Sequence, residues 1–297
     1  MSGDFLAQMA ESSRQRAEAA RRACSEADLL ARALATPTPP RLRYDAGGFD
    51  LIAELKLRSP AVGQLKAGDE DVGARVTAYA RAGAAAVSVL TEPSRFDGSL
   101  SHLELATRTL AAQRVPAMRK DFLVDPYQVI EARAAGAGGV LVILRMLPRE
   151  RLDALMEQAR RLGLFVLLEA FDENDIELMH DIVDCHVGQG AEVLAGVNCR
   201  NLATLQIVPQ RLDELAHLLP TRVPRVAESG VLCADDARRV SAAGYEVALV
   251  GSALMQGGDP SALAVAMLAA GRAVHRSRER ADEIERPAGQ ASDGEVG

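Results

Sequence analysis

The feature that most constrains this 297-residue chain is a rhythm that begins at Phe49. Short apolar runs rich in β-branched residues alternate with longer amphipathic stretches. Eight runs cover 51–56, 86–91, 116–120, 140–144, 164–169, 193–198, 223–228 and 247–250. Helix-like stretches follow at 74–82, 103–112, 127–135, 148–162, 173–182, 209–218 and 234–243, with a last one expected over 260–274. Gly83, Gly136, Gly163 and Gly244 stand where helices would end, a position that suits a C-terminal cap. Pro148 suits a first helical turn. Strands alternating with helices imply a parallel sheet. Eight units of this size fit a closed (β/α)8, or TIM, barrel, which takes about 250 residues. An open doubly wound sheet would carry a G-x-G-x-x-G turn after its first strand, and the chain has none there.

The expected organisation has three parts. Residues 1–48 form an N-terminal helical extension and a connector. Strong helix formers fill 4–35, with a patchy apolar stripe at Leu6, Met9, Ala20 and Leu29, so one or two helices are expected on the surface or across an opening of the body. The Pro-rich stretch 36–43 cannot be helical. The barrel takes 49–275. The polar tail, 276–297, is expected to extend the last helix and then be disordered.

Composition excludes several classes. A net charge of -7 argues against a nucleic-acid partner, which calls for a basic face. No apolar run is long enough to span a membrane, and the first residues lack a signal-peptide core, so a cytoplasmic protein is expected. Cys24, Cys185, Cys199 and Cys233 are scattered, with no C-x-x-C pair, and read as free thiols. A metal site on His180, Cys185 and His186 is disfavoured, because those spacings do not share one helical face.

The chemistry is expected at the C-terminal ends of the strands. The first run ends in Glu54 and Lys56, which on a strand share a face. Inward charges are costly unless paired or used, so this pair reads as a structural ion pair or as part of an active site. The other ends favour the second reading: Lys120 after the third run, Glu169 after the fifth, Asn198 with Arg200 after the sixth, and Glu228 after the seventh. Ser229-Gly230 and Gly251-Ser252 place small residues after the last two runs, where barrels bind phosphate through backbone N–H groups. Ser252-Ala253-Leu254-Met255 is the right length for the short extra helix of such a site, and Ser59 offers a hydroxyl nearby. The expected partner is a phosphorylated small molecule. Lys120 and Glu169 are the natural acid–base pair. A lysine acid, or a Schiff-base lysine, calls for a pKa lowered by burial or by a cation such as Lys56; the sequence leaves both roles open.

Taken together, the motifs IAELKLRSP (52–60), SVLTE (88–92), FDGS (96–99), RKDFLVDPYQ (119–128), LLEA (167–170), GVNCRNL (196–202), AESG (227–230) and LVGSALM (249–255) resemble the indole-3-glycerol phosphate synthase family of tryptophan biosynthesis. The resemblance implies a cofactor-free lyase that closes the indole ring of 1-(2-carboxyphenylamino)-1-deoxyribulose 5-phosphate with loss of carbon dioxide and water. It implies Lys120 as general acid and Glu169 as general base, helped by Glu54, with Asn198 in the catalytic set. Lys56 would pair with a substrate carboxylate or phosphate, and Asn198 and Arg200 would hold the anthranilate end and the sugar hydroxyls. Phe96 and Phe122 would flank the aromatic ring. Ser59, Ser229, Gly230, Gly251 and Ser252 would cradle the phosphate beside Glu228. The expected assembly is a monomer or weak homo-oligomer.

Four positions depart from the family pattern as it usually reads: Ala61 for Ser, Gly138 for Asp, Phe171 for His, and Cys199 for Asn or Ser. They suggest a divergent member, such as a paralogue of a specialised pathway. Two rivals fit less well. Phosphoribosylanthranilate isomerase chemistry would want a Cys–Asp pair at strand ends. A non-catalytic phosphate-binding barrel would be expected to lack the acid and base.

Overall fold

The computed structural model describes residues 5–60, 63–65, 70–201, 204–256 and 258–285, with side chains described as far as His275. Eight parallel strands close into a barrel: β1 (Asp50–Leu55), β2 (Ala86–Leu90), β3 (Ala117–Lys120), β4 (Gly139–Ile143), β5 (Phe165–Ala170), β6 (Val193–Asn198), β7 (Arg225–Glu228) and β8 (Val247–Val250). Each pairs with its sequence neighbours, and β8 pairs with β1 through Ile52 opposite Leu249. The expected barrel is the observed one, and the expected strand bounds hold to within two residues. A short antiparallel hairpin, Arg58–Ser59 with Gly63–Gln64, follows β1.

Two cores explain why the strands read as unbroken apolar runs. Alternate residues point opposite ways. Ile52, Met118, Leu141, Leu167, Leu194, Val226 and Leu249 fill the barrel. Leu51, Val87, Val140, Val166, Val197, Ala227 and Ala248 face outward and pack with helix residues such as Val76, Leu103, Leu152, Ile176, Val240 and Met267.

The helices are α1 (Phe5–Ala23), α2 (Glu26–Ala35), α3 (Val72–Arg81), α4 (Pro93–Phe96), α5 (Leu100–Leu110), α6 (Pro126–Ala134), α7 (Arg149–Arg161), α8 (Glu173–Val187), α9 (Gln210–Leu215), α10 (Ala234–Ala243), α11 (Ser252–Gln256) and α12 (Pro260–Glu285). Gly244 caps α10 at φ 105°, a backbone angle that glycine adopts without strain. Gly83, Gly136 and Gly163 also take positive φ after their helices. Pro148 stands one residue before α7, as its N-cap. α12 continues past His275 to Glu285; residues 286–297, the rest of the expected tail, lie outside the described residues.

The N-terminal extension divides between two places. α1 carries Leu6 and Met9 into the cluster that fills the barrel. α2 packs Leu29 and Ala33 against Tyr127 and Ile130 of α6. The connector then passes the start of β4. There a Cβ on Gly138 would lie 2.8 Å from Pro116 Cβ and 3.3 Å from the Pro40 carbonyl oxygen. The missing carboxylate at 138 thus has a structural account, because the Pro-rich connector occupies its space.

Candidate active site

The strand-end residues assigned to the site, Glu54, Lys56, Lys120, Glu169, Asn198, Arg200, Glu228, Ser229, Gly230, Gly251 and Ser252, line one cleft at the C-terminal mouth of the barrel, with Ser59, Phe96 and Phe122. Ala61 lies outside the described residues.

Lys120, at the end of β3, is the hub. Its Nζ donates to Glu169 Oε2 at 3.0 Å and to Glu228 Oε2 at 3.3 Å. Glu169 ends the inward-facing row of β5, and Glu228 is the last residue of β7. Burial alone would lower the lysine pKa, but the carboxylates of Glu169, Glu228 and Glu54 outweigh it and raise it. This reverses the expected lowering. Lys56 supplies no such push, because it is turned away to Glu54 with Nζ 2.8 Å from Oε1. The raised pKa favours the ammonium over the free amine that a Schiff base needs, and it also makes that ammonium a weaker acid than an isolated lysine.

Glu54 and Glu228 diverge in their charge. Burial pushes Glu54 up, yet Lys56, Lys120 and Arg200 prevail and lower its pKa. At Glu228 burial dominates and the nearby Glu169 adds to it, so its pKa rises well above the usual range despite Lys120. Glu228 Oε1 is buried with no hydrogen-bond partner. It occupies space that only glycine at 196 leaves open, since a Cβ there would lie 2.4 Å from it.

Asn198 ties three parts together. Its Nδ2 donates to Glu169 Oε2 at 3.2 Å, while its Oδ1 accepts from Ser229 Oγ at 2.9 Å and from the Arg200 backbone N–H at 3.1 Å. The Arg200 guanidinium donates to the Leu205 carbonyl at 2.8 Å.

The expected phosphate end is small and tightly turned. Ser229 and Gly230 take φ of 65° and 70°, and Gly251 leads directly into α11, the short helix expected there. A Cβ on Gly230 would lie 2.9 Å from Cys199 Sγ, so the buried thiol sits directly beneath this turn. Burial pushes that thiol up to about 11.

Phe122 packs against Phe96 at 6.1 Å and edge-on against Phe5 of α1 at 5.9 Å. Phe5, Leu6 and Phe171 in the cleft were not among the expected site residues. Phe171 lies beneath Arg145, 4.9 Å from its guanidinium carbon, and Arg145 is held by Asp172 and Asp175. Thr91 and Asp121, also at strand ends, are tied to each other and to Arg119 by hydrogen bonds, with Asp121 at the edge of the cleft.

The disfavoured metal triad has other contacts: His180 Nε2 on the Leu218 carbonyl at 2.8 Å, His186 Nε2 on Asp153 at 2.9 Å, and Cys185 accepting from Arg149 at 3.3 Å. Among the described residues no cluster of three or more His, Cys, Asp or Glu is placed to hold a metal ion. Nor is any described helix long and apolar enough to cross a membrane.

Known proteins share this arrangement at two levels. The barrel resembles 3-hexulose-6-phosphate synthase from Salmonella typhimurium, with TM-score 0.59 over 76% of this chain and 100% of that one; at 13% identity this is a likeness of fold alone. The sequence relationship is closer. The family model for indole-3-glycerol phosphate synthase matches residues 6–267. An indole-3-glycerol phosphate synthase of a Nocardioides species is 47% identical over 241 residues, covering 80% of this chain and 88% of the relative. That of Mycobacterium leprae is 40% identical over 256 residues, covering 85% and 90%. From α1 to α12, and at these identities, the chain belongs to the indole-3-glycerol phosphate synthase family.

Proposed function

We propose that this barrel closes the indole ring of 1-(2-carboxyphenylamino)-1-deoxyribulose 5-phosphate with Lys120 as acid and Glu169 as base. The observation that carries the reading is the Lys120 ammonium held between Glu169 and Glu228 at the barrel mouth. As the carboxylate-bearing ring carbon bonds to the ketone carbon, Lys120 gives a proton to the carbonyl oxygen, which becomes a hydroxyl. The bond to the carboxylate then breaks, carbon dioxide leaves, and its electron pair restores the aromatic ring. In the last step Glu169 takes a proton from the neighbouring CH2, while Lys120, reprotonated through Glu228, gives a proton to the hydroxyl, which departs as water; Glu169 then returns its proton to Lys120, and solvent replaces the one lost from Glu228.

Glu228 supports this cycle as a buried proton store. Burial raises its pKa well above the usual range, which favours uptake of a proton, and 3.3 Å separates it from the Lys120 amine. Glu54 keeps Lys56 aligned for the substrate carboxylate. Asn198 fixes Glu169, while Arg200 stands beyond it at the anthranilate end. Ser59, Ser229, Gly230, Gly251 and Ser252 surround the phosphate, and Phe96 and Phe122 face the ring. A soluble phosphorylated substrate supports a cytoplasmic setting, and no step calls for more than one copy of the chain.

The test is an assay of purified protein for indole-3-glycerol phosphate, with Lys120→Ala alongside. Turnover by the wild type and its loss in the variant are expected. A wild type that binds phosphate without turnover would favour a paralogue or a non-catalytic barrel.

A further inference from the structure

The turn that follows Lys120 is gripped from outside the barrel by α1. Lys120 ends β3 facing into the barrel, and Asp121 follows at the edge of the cleft with its carboxylate bound by α1. Asp121 is buried, and Arg16 of α1 meets it as a fork, Nη2 to Oδ1 at 2.8 Å and Nη1 to Oδ2 at 3.0 Å. The same carboxylate accepts from Thr91 Oγ1 at 2.7 Å, Arg119 Nη2 at 3.1 Å and the Phe122 backbone N–H at 2.8 Å. One turn earlier on α1, Ser13 Oγ accepts from Gln128, whose Oε1 in turn holds the Val124 N–H. One turn later, Tyr127 donates to the Ala20 carbonyl at 3.1 Å.

We propose that Arg16 is a positioning residue for the reaction: its fork on Asp121 fixes the turn that aims Lys120 and Phe122 into the cleft. A paired fork suits this task, because guanidinium and carboxylate meet in one plane and set direction as well as distance. A small displacement of an acid is costly, about 100-fold in rate for about 1 Å. Asp121 keeps Arg119 and Thr91 when Arg16 is removed, so its charge stays compensated and the barrel is expected to fold. The role rests on Lys120 acting as proposed above.

The experiment compares wild type, Arg16→Ala and Arg16→Lys by steady-state kinetics, competition by inorganic phosphate, and amide hydrogen exchange. In Arg16→Ala, kcat is expected to fall between about 10- and 100-fold, while the inhibition constant for phosphate stays unchanged, because that end is built by β7 and β8. Exchange should quicken in the segment 121–128 and not in β5 or β6. Arg16→Lys, which keeps the charge and loses the fork, should recover only part of kcat. A merely structural role would move all segments and the phosphate constant together. A kcat within about twofold of wild type, or unaltered exchange in 121–128, overturns the proposal. A wild type that forms no product overturns the assigned reaction and the role with it; a working wild type beside an unimpaired Arg16→Ala overturns the role alone.

Discussion

Gly251 and Glu54 compete for one space. A Cβ on Gly251 would lie 2.3 Å from Glu54 Oε1 and 2.9 Å from Lys56 Nζ, so the ion pair at the C-terminal end of β1 has its space because glycine directly follows β8. Gly251→Ala should push Glu54 off Lys56. Overpacking of this kind costs about 1–3 kcal/mol, and kcat/KM should fall by more than the loss of folded protein accounts for. Thermal melting beside steady-state kinetics checks this; full activity in the variant would show that the pair is dispensable.

Glu228 makes stability depend on pH in a particular direction. A carboxyl whose folded pKa is raised contributes stability that is fully present below its usual value of 4.5 and is lost as pH rises through the folded value. Glu228→Gln resembles the protonated acid and carries no such dependence. Relative to wild type, the variant should therefore gain stability as pH rises above the usual carboxyl value of 4.5. It should also lose activity, since it has no proton to return to Lys120. Denaturant midpoints across a pH series decide the matter, and a difference that stays flat with pH would mean that Glu228 is ionised in the fold.

The thiols should separate by accessibility. Cys185 and Cys233 are exposed, Cys24 is half-buried, and Cys199 is buried with its pKa pushed up to about 11. Because the thiolate is the reactive form, Cys185 and Cys233 should react first with a chromogenic disulfide, and Cys199 only on unfolding. Rapid native labelling of Cys199, read by peptide mass, would show that the turn at Ser229-Gly230 opens.

Restoring the usual family residue at 138 should harm this chain. In Gly138→Asp the new side chain meets Pro116 and the Pro40 carbonyl oxygen at a buried position. A cost of about 1–3 kcal/mol is expected from overpacking alone. A variant that melts at or above the wild-type temperature would mean that the connector yields easily.

The barrel and the ring of polar strand ends were legible because both are local patterns. Period-two alternation, helix-ending glycines and a charge at the end of an apolar run each lie within a few residues. What depended on distant neighbours was not legible. The pKa of Lys120 is set by Glu169 and Glu228, 49 and 108 residues further on, so the expected lowering had the wrong sign. Glu54 and Lys56 posed a choice between ion pair and active site, and they are paired within the cleft itself. Arg16 reaches Asp121 across 105 residues, and nothing in the helix-rich composition of 4–35 marks it out. Phe5 and Leu6 were hidden for the same reason, although Leu6 and Met9 already belonged to the apolar stripe.

One consequence follows from β3, where two cations stand side by side. Arg119 is 2% exposed and locked outside the barrel by Thr91, Gln128, Glu131 and Asp121, while Lys120 looks into the cleft. Only the pleat tells them apart. A one-residue slip of this strand would exchange their sides, withdrawing the Lys120 ammonium from Glu169 and Glu228 and presenting a guanidinium in its place. The surrounding loops can therefore vary in length far more freely than β3, whose residue count is itself a catalytic property.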